Sequence, residues 1–319
     1  NVDEPLLIWR STSQWIGGLY FLYSLFLLTG RSKIKIKNIY SNTEGSNLSE
    51  IKNQYTKVLI NYFLLTAIVF LLLTVFGIRL FEGFNLSMTI MSSGGFLPAN
   101  LLEDIIKSEN QKIIFSLCML FPLFNLYLIY NIIFGFRSLN DNQEDFYLMI
   151  LLLFVFVSLY VFFNNSFEIS SILLPIISSL SNVGLGLSTE YSGLSVLFLI
   201  LAIIGGSSFS TSSGLKFIKL YILSKSSLKE IYSIVKPLQV SSNALFLSKY
   251  KVKEEEINTY FLATIFFIIS FFMLSSILSF EEISFKDSLT LSILTITNTV
   301  NSNNYNLNEL SFMNFNTFS

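Results

Sequence analysis

Apolar runs of two distinct lengths alternate along this chain, and that alternation leaves few folds open to it. Runs at 12–30, 57–78, 113–136, 146–163, 193–222 and 258–280 each approach the roughly 20 residues that carry a helix across a bilayer. Between certain pairs lie shorter, half-polar stretches at 84–96, 167–184 and 285–300, which are too short to cross and read as re-entrant segments. The order is span, short segment, Gly or Asn turn, span. It occurs around Gly95, again around Gly184 and, cut off, around Asn301. The run at 12–30 fits the closing half of an earlier unit. The chain begins at Asn1 rather than Met, and the expectation is a piece of a longer protein.

Composition agrees and removes other classes. Hydrophobic residues make up 52% of the 319, charged residues 13%, against about 25% charged in a soluble domain. A net charge of −1 gives no electrostatic footprint for nucleic acid. There is no histidine, and Cys118 is the single cysteine. Enzymatic and transition-metal readings therefore lose their commonest base and ligand, and no disulfide can form within the chain. No cluster of Asp or Glu falls inside an expected span, so an enzyme is not predicted. Most of the 20 Lys and Arg residues fall in the connections 31–57, 137–145 and 216–257. Cytoplasmic loops carry that excess, so the short segments are predicted to enter from outside. The charged patch KYKVKEEE within 216–257 reads as a solvated helical face.

Short segments that end in Gly-containing polar turns, all on one side, suit a cation pore. Backbone carbonyls can replace an ion's water shell without burying a charge, and Gly permits the dihedrals that point them inward. Irregular backbone at membrane depth is tolerated only where protein encloses it or it lines a watery cavity. The candidate ion-binding turns are Ser93-Gly94-Gly95-Phe96, Asn182-Val183-Gly184-Leu185 and Thr299-Val300-Asn301-Ser302. One such turn alone is equally a packing device; three in the same topology point to a pore. The predicted fold is an all-α membrane protein of repeated membrane helix–pore helix–membrane helix units around a central ion pore. Residues 1–36 would close repeat one. Repeat two would cover 37–140, with its turn near 92–97, and repeat three 141–232, with its turn near 181–186. A partial repeat four would cover 233–319, with its turn near 298–303.

Within the run 193–222 sits GGSSFSTSSGLK, Gly205 to Lys216. Gly costs a helix about 1 kcal/mol per position, so this stretch predicts a helix broken in mid-membrane, with Ser and Thr hydroxyls satisfying the freed backbone. A kinked but continuous helix is the plainer alternative. Lys216 is either a snorkelling anchor or part of a gate. Glu168 opens the second short helix, where a carboxylate meets the positive end of the helix dipole; it is either a capping charge or an ion attractor.

These segments resemble the membrane subunits of the Trk and Ktr potassium-uptake systems, TrkH-like proteins related to the HKT transporters. The stretch Trp9 to Leu28, WRSTSQWIGGLYFLYSLFLL, resembles that family's WRSLTQWIGGLGI segment. SSGGFLPAN and SSLSNVGLGLS resemble its filter turns, and GGSSFSTSSGLKFIKLYIL resembles its GGCSGSTAGGIKVIR segment. There Gly205, Gly206, Ser207, Ser210, Thr211, Gly214 and Lys216 match. The resemblance implies four repeats with one filter turn each, potassium held at Gly95, Gly184 and Asn301, and a gating loop at 205–216. It also implies a homodimer in the bilayer of a bacterial inner membrane, with a cytosolic nucleotide-binding subunit of the TrkA or KtrA type and no organic cofactor. The chain would lack the first filter turn and the last span. Asn301 stands where the fourth filter turn usually has Gly, Phe209 and Ser213 replace glycines of the gating loop, and Ser208 replaces a proline. Sodium or mixed sodium–potassium transport on the same architecture is the alternative reading, and a non-conducting scaffold is a third.

Overall fold

Hydrocarbon offers no partners for backbone N–H and C=O groups, so a chain this apolar is driven into helices that satisfy them internally. The computed structural model describes residues 3–31, 48–99, 101–128, 143–163, 168–186, 194–235, 254–280 and 283–299. Among these residues there are helices and turns but no strand. In chain order the helices are α1 (Glu4–Arg31), α2 (Leu48–Val75), α3 (Leu80–Ser92), α4 (Leu102–Ile105), α5 (Glu109–Cys118) and α6 (Gln143–Phe162). They continue with α7 (Ile169–Ser181), α8 (Ser195–Ile204), α9 (Phe217–Val235), α10 (Glu254–Ser279) and α11 (Phe285–Ile296).

Among the described residues, three stretches are long and apolar enough to cross a membrane: Tyr55–Val75, Gln143–Phe162 and Glu254–Ser279. Their outer faces expose Phe63, Leu71, Phe154, Val161, Phe266 and Met273, a surface suited to lipid chains. The protein is a multi-pass membrane protein. The short helices are α3, α7 and α11, as the half-polar segments predicted. Each packs on the helix just before it in the chain and on an earlier one. Thus α3 lies against α2 and α1, α7 against α6 and α5, and α11 against α10 and α8.

Two apolar runs are not continuous helices. The break at 205–216 was expected. The break in the run 113–136, expected as one span, was not: α5 stops at Cys118, turns occupy 119–124, and helix resumes at 126–128. Pro122 has no N–H to give a helix, and the Asn125 side chain accepts the Tyr127 N–H at 3.0 Å, so the turn competes with helix locally. The start of α5 is set by a reciprocal cap. Ser108 Oγ accepts from Gln111 N at 3.3 Å, and Gln111 Oε1 accepts from Ser108 N at 3.2 Å.

A tight crossing fixes α1 on α3. A Cβ on Gly18 would lie 2.7 Å from Tyr62 Oη and 3.0 Å from Ser92 Cα, whereas one on Gly17 would meet nothing within 4 Å. Tyr62 is fully buried, and its hydroxyl donates to Trp15 O at 3.2 Å. Gly18→Ala should therefore cost about 1–3 kcal/mol through overpacking, and Gly17→Ala should be neutral or mildly stabilising. Thermal unfolding of the detergent-solubilised protein checks this, and equal melting temperatures for the two variants would refute it.

Candidate functional site

The short helices α3, α7 and α11 end in the same way. Each closes with a non-Gly residue in the left-handed region: Ser93 at φ 51°, Asn182 at φ 55° and Asn298 at φ 58°. In each, the N–H of that residue donates three residues back, to Ile90, Ser179 and Thr295. The next N–H donates five residues back, from Gly94 to Thr89 O (2.9 Å), Val183 to Ser178 O (3.2 Å) and Thr299 to Leu294 O (2.8 Å). This is the Schellman closure, and Asn suits its left-handed position better than most residues do.

That pattern corrects the register of the last turn. The expected pairing set Thr299 beside Ser93 and Asn182, but Asn298 occupies their place and Thr299 that of Gly94 and Val183. The turn therefore begins one residue earlier, at Asn298. Val300, Asn301 and Ser302, named as candidate ligands, lie outside the described residues.

The turns meet one another. Ser93 Oγ donates to Ser181 O at 3.1 Å, and Asn298 Nδ2 donates to Ser93 O at 2.8 Å. A Cβ on Gly184 would lie 3.0 Å from Thr299 Cα. With φ at +73°, Gly184 is held to glycine by backbone conformation and by space. Gly95 has φ +75°, two residues after its own helix end, as Gly184 is. Ser93, Gly94, Gly95, Asn182, Val183, Gly184, Leu185 and Thr299 are buried, and Phe96 is half-buried. α1 supports the first turn: Gln14 Nε2 donates to Gly94 O at 2.6 Å, Arg10 Nη2 donates to Leu97 O at 2.5 Å, and the guanidinium lies 4.6 Å over the Phe96 ring. Three helix C-termini thus converge, each carrying a partial negative charge of about half a unit, which favours a cation between them.

Beneath the turns, the loop 205–216 touches several other elements. It joins the broken segment 119–126 through Ser207 N to Leu123 O (3.0 Å), Ser212 N to Pro122 O (3.2 Å) and Leu126 N to Phe209 O (2.9 Å). Asn182 Nδ2 donates to Ala202 O at 2.9 Å, just before the loop, and Ser213 Oγ donates to Thr297 O at the foot of α11. Lys216 Nζ stands 5.6 Å from the Phe21 ring centre of α1.

Inside the loop, Gly206 N donates to Ser212 Oγ (2.9 Å) and Ser210 Oγ to Ser207 O (2.7 Å). A Cβ on Gly206 would collide with Ser212 Oγ and Leu123 O. Gly205 and Gly214 take φ of +67° and +77°. Thr211 is buried in the same loop. Phe209, the bulky departure from the motif, packs aside on Tyr127, with ring centres 5.6 Å apart and planes at 26°.

Lys216 does not snorkel. It is 6% exposed, and its ammonium donates to Ser210 O (3.0 Å), Ser210 Oγ (3.1 Å) and Ser212 O (2.5 Å), so the loop closes on its own cation. Glu168 does not cap α7 with its side chain. That carboxylate is 65% exposed and pairs with Lys112 at 3.4 Å. The cap comes from Glu109, which accepts Ser170 N at 3.1 Å and Ser170 Oγ at 2.7 Å. Residue spacing gives no sign of this bond between helices.

Sequence alone assigned no role to Glu144 and Asp145, which fall just before the expected span 146–163. Both lie in the first turn of α6 and reach the broken segments. Glu144 accepts from Ser208 N (2.7 Å) and Ser208 Oγ (2.9 Å), and buried Asp145 accepts from Asn125 N (3.0 Å). Their position at the very start of an apolar run was the one available signal. Among the described residues no group of three or more His, Cys, Asp or Glu could hold a metal ion.

The fold is that of the potassium transporter TrkH from Vibrio parahaemolyticus, with a TM-score of 0.79 at 17% identity, covering 94% of this chain and 64% of that one. An uncharacterized cation transporter of Methanocaldococcus jannaschii is 27% identical over 242 residues, which is 74% of this chain. The chain spans about half the length of that relative, 50%. No family model matches it.

Removing the Glu109 cap by Glu109→Ala should lower stability by about 1 kcal/mol. Glu168→Ala, which breaks only an exposed ion pair, should cost less than about 0.5 kcal/mol. Thermal unfolding of the two variants side by side checks the order.

Proposed function

We propose that this chain forms the ion-conducting part of a cation transporter, and that the cation is potassium. The observation that carries the reading is the meeting of three equivalent helix C-terminal turns, tied by hydrogen bonds from Ser93 and Asn298, where three helix dipoles bring negative charge that would favour a cation. The likeness to a potassium transporter and to a cation transporter supports it. Carbonyls at the turns around Gly95, Gly184 and Asn298 take over part of the ion's hydration. Ions then pass the loop 205–216, which acts as the gate. Its contacts with α1, with the segment 119–126 and with Thr297 at the end of α11 support a position across the route these elements enclose. In the same reading the protein works as a homodimer in the bacterial inner membrane, under control of a cytosolic nucleotide-binding subunit of the TrkA or KtrA type.

A non-conducting relative is the second reading, favoured by one feature: Ser93 O and Gly94 O already accept from the Asn298 and Gln14 amides. A cation must displace or share these donors.

Gly184→Ser tests the first reading, because any Cβ there is strained in φ and crowded by Thr299. In vesicles containing the complete protein, rubidium uptake with sodium in competition should fall about tenfold or lose its preference for rubidium. Unchanged flux and selectivity would overturn the role of the turns. Absence of flux in the unaltered protein would favour the second reading, and a preference for sodium would reassign the ion.

A further inference from the structure

We propose that Glu144 and Asp145 form a carboxylate latch that holds the loop 205–216 closed by tying it, through α6, to the broken segment 119–125. The proposal rests on the transport reading for its effect on flux, though the latch itself can be detected without transport.

The two unwound segments are cross-linked by three backbone hydrogen bonds, at Ser207–Leu123, Ser212–Pro122 and Leu126–Phe209. Neither Ser208 nor Asn125 gives its N–H to that ladder. Each instead gives it to one of two adjacent carboxylates, Ser208 to Glu144 and Asn125 to Asp145. Ser208 adds its hydroxyl, so Glu144 takes two donors from a single loop residue. A proline at 208 could supply neither. Both carboxylates lie in the first turn of α6, where the helix dipole favours negative charge, so α6 acts as a fixed post.

The loop's other attachments differ in kind. Lys216 binds the loop to itself, and Ser213 and Asn182 bind the loop region to the turns above. Glu144 is the attachment that joins the loop's apex to a membrane-crossing helix, through two donors of one residue, the N–H and hydroxyl of Ser208. Opening the loop at its apex therefore requires Ser208 to leave Glu144, while Asp145 keeps the 119–125 segment in place. Glu144 and Asp145 are positioning residues: neither is assigned a contact with the ion.

The test uses the complete protein in vesicles, with Glu144→Ala, Ser208→Ala and the double variant. Losing the pair of hydrogen bonds from Ser208 is worth roughly a factor of ten in the open–closed equilibrium. Glu144→Ala should therefore raise rubidium flux about tenfold from a mostly closed state without altering rubidium-to-sodium preference, and Glu144→Gln should rise less. Ser208→Ala should give a smaller rise because its N–H remains. The double variant should not exceed Glu144→Ala, since both remove one bond set. Additive effects, or a flux unchanged at equal protein content, would overturn the latch.

Hydrogen exchange of the 205–216 amides supplies an arm that needs no ion flux. Exchange at Ser208 should quicken in Glu144→Ala while α8 and α9 stay protected. Unchanged protection at Ser208 would overturn the latch, and so would loss of protection throughout the fold, which marks a structural role. If the unaltered protein carries no cation, the transport reading fails, and the exchange result still decides whether Glu144 holds the loop.

Discussion

The structure depends on one constraint: main chain that leaves a helix at membrane depth must find its hydrogen-bond partners in protein. Among the described residues two apolar runs are broken, and each break hydrogen-bonds to the other. The loop 205–216 donates to Pro122 and Leu123 and accepts from Leu126. A continuous helix through 119–126 would commit those carbonyls and that N–H to its own ladder, leaving the loop unsatisfied. The break at 119–125 therefore makes the break at 205–216 tolerable. Serines serve the same end inside the loop, where Ser210, Ser212 and Lys216 cover groups the opposite segment cannot reach.

The turns above solve a related problem with a different device. Each short helix must stop abruptly and send its chain onward. The Schellman closure satisfies the last carbonyls while reversing direction. Its left-handed residue is Ser or Asn here, not Gly, and the side chains repay that choice. Asn182 reaches the end of α8, Asn298 reaches the first turn, and Ser93 reaches the second. The residues that end the helices also bind the turns together, which a glycine could not do.

Much of this was legible in the sequence because hydrocarbon thickness sets length. The runs near 84–96, 167–184 and 285–300 were too short to cross, and α3, α7 and α11 are what they become. The stretch from Gly205 to Lys216 read as a break because it lacks helix-forming bulk. Other features were hidden for physical reasons. The run 113–136 is apolar enough to span, and a single Pro122 with Asn125 did not outweigh that. The last turn slipped by one residue because Thr299 and Asn298 both fit a polar turn, and only the folded backbone, left-handed at Asn298 with Thr299 N bonded to Leu294 O, separates the two registers. Lys216 had the length to snorkel, but the three loop oxygens around its ammonium exist only once the loop is folded. Glu109, Glu144 and Asp145 act across helices, and periodicity along one helix carries no information about such bonds.

The turns and the loop are not mechanically independent. Ser213 Oγ bonds to Thr297 O, the carbonyl just before the left-handed Asn298, and Asn298 in turn holds Ser93 O. On the other side, Asn182 links its turn to Ala202, three residues before the loop begins. A displacement of the loop toward α6 or away from it therefore pulls on the ends of α7 and α11 through these direct bonds. Because packed interiors shift between discrete arrangements rather than stretch, the loop cannot swing freely beneath a static set of turns. Either the Ser213 and Asn182 bonds break when it moves, or the turns shift with it. In both cases the bonding of the turns is coupled to the position of the loop.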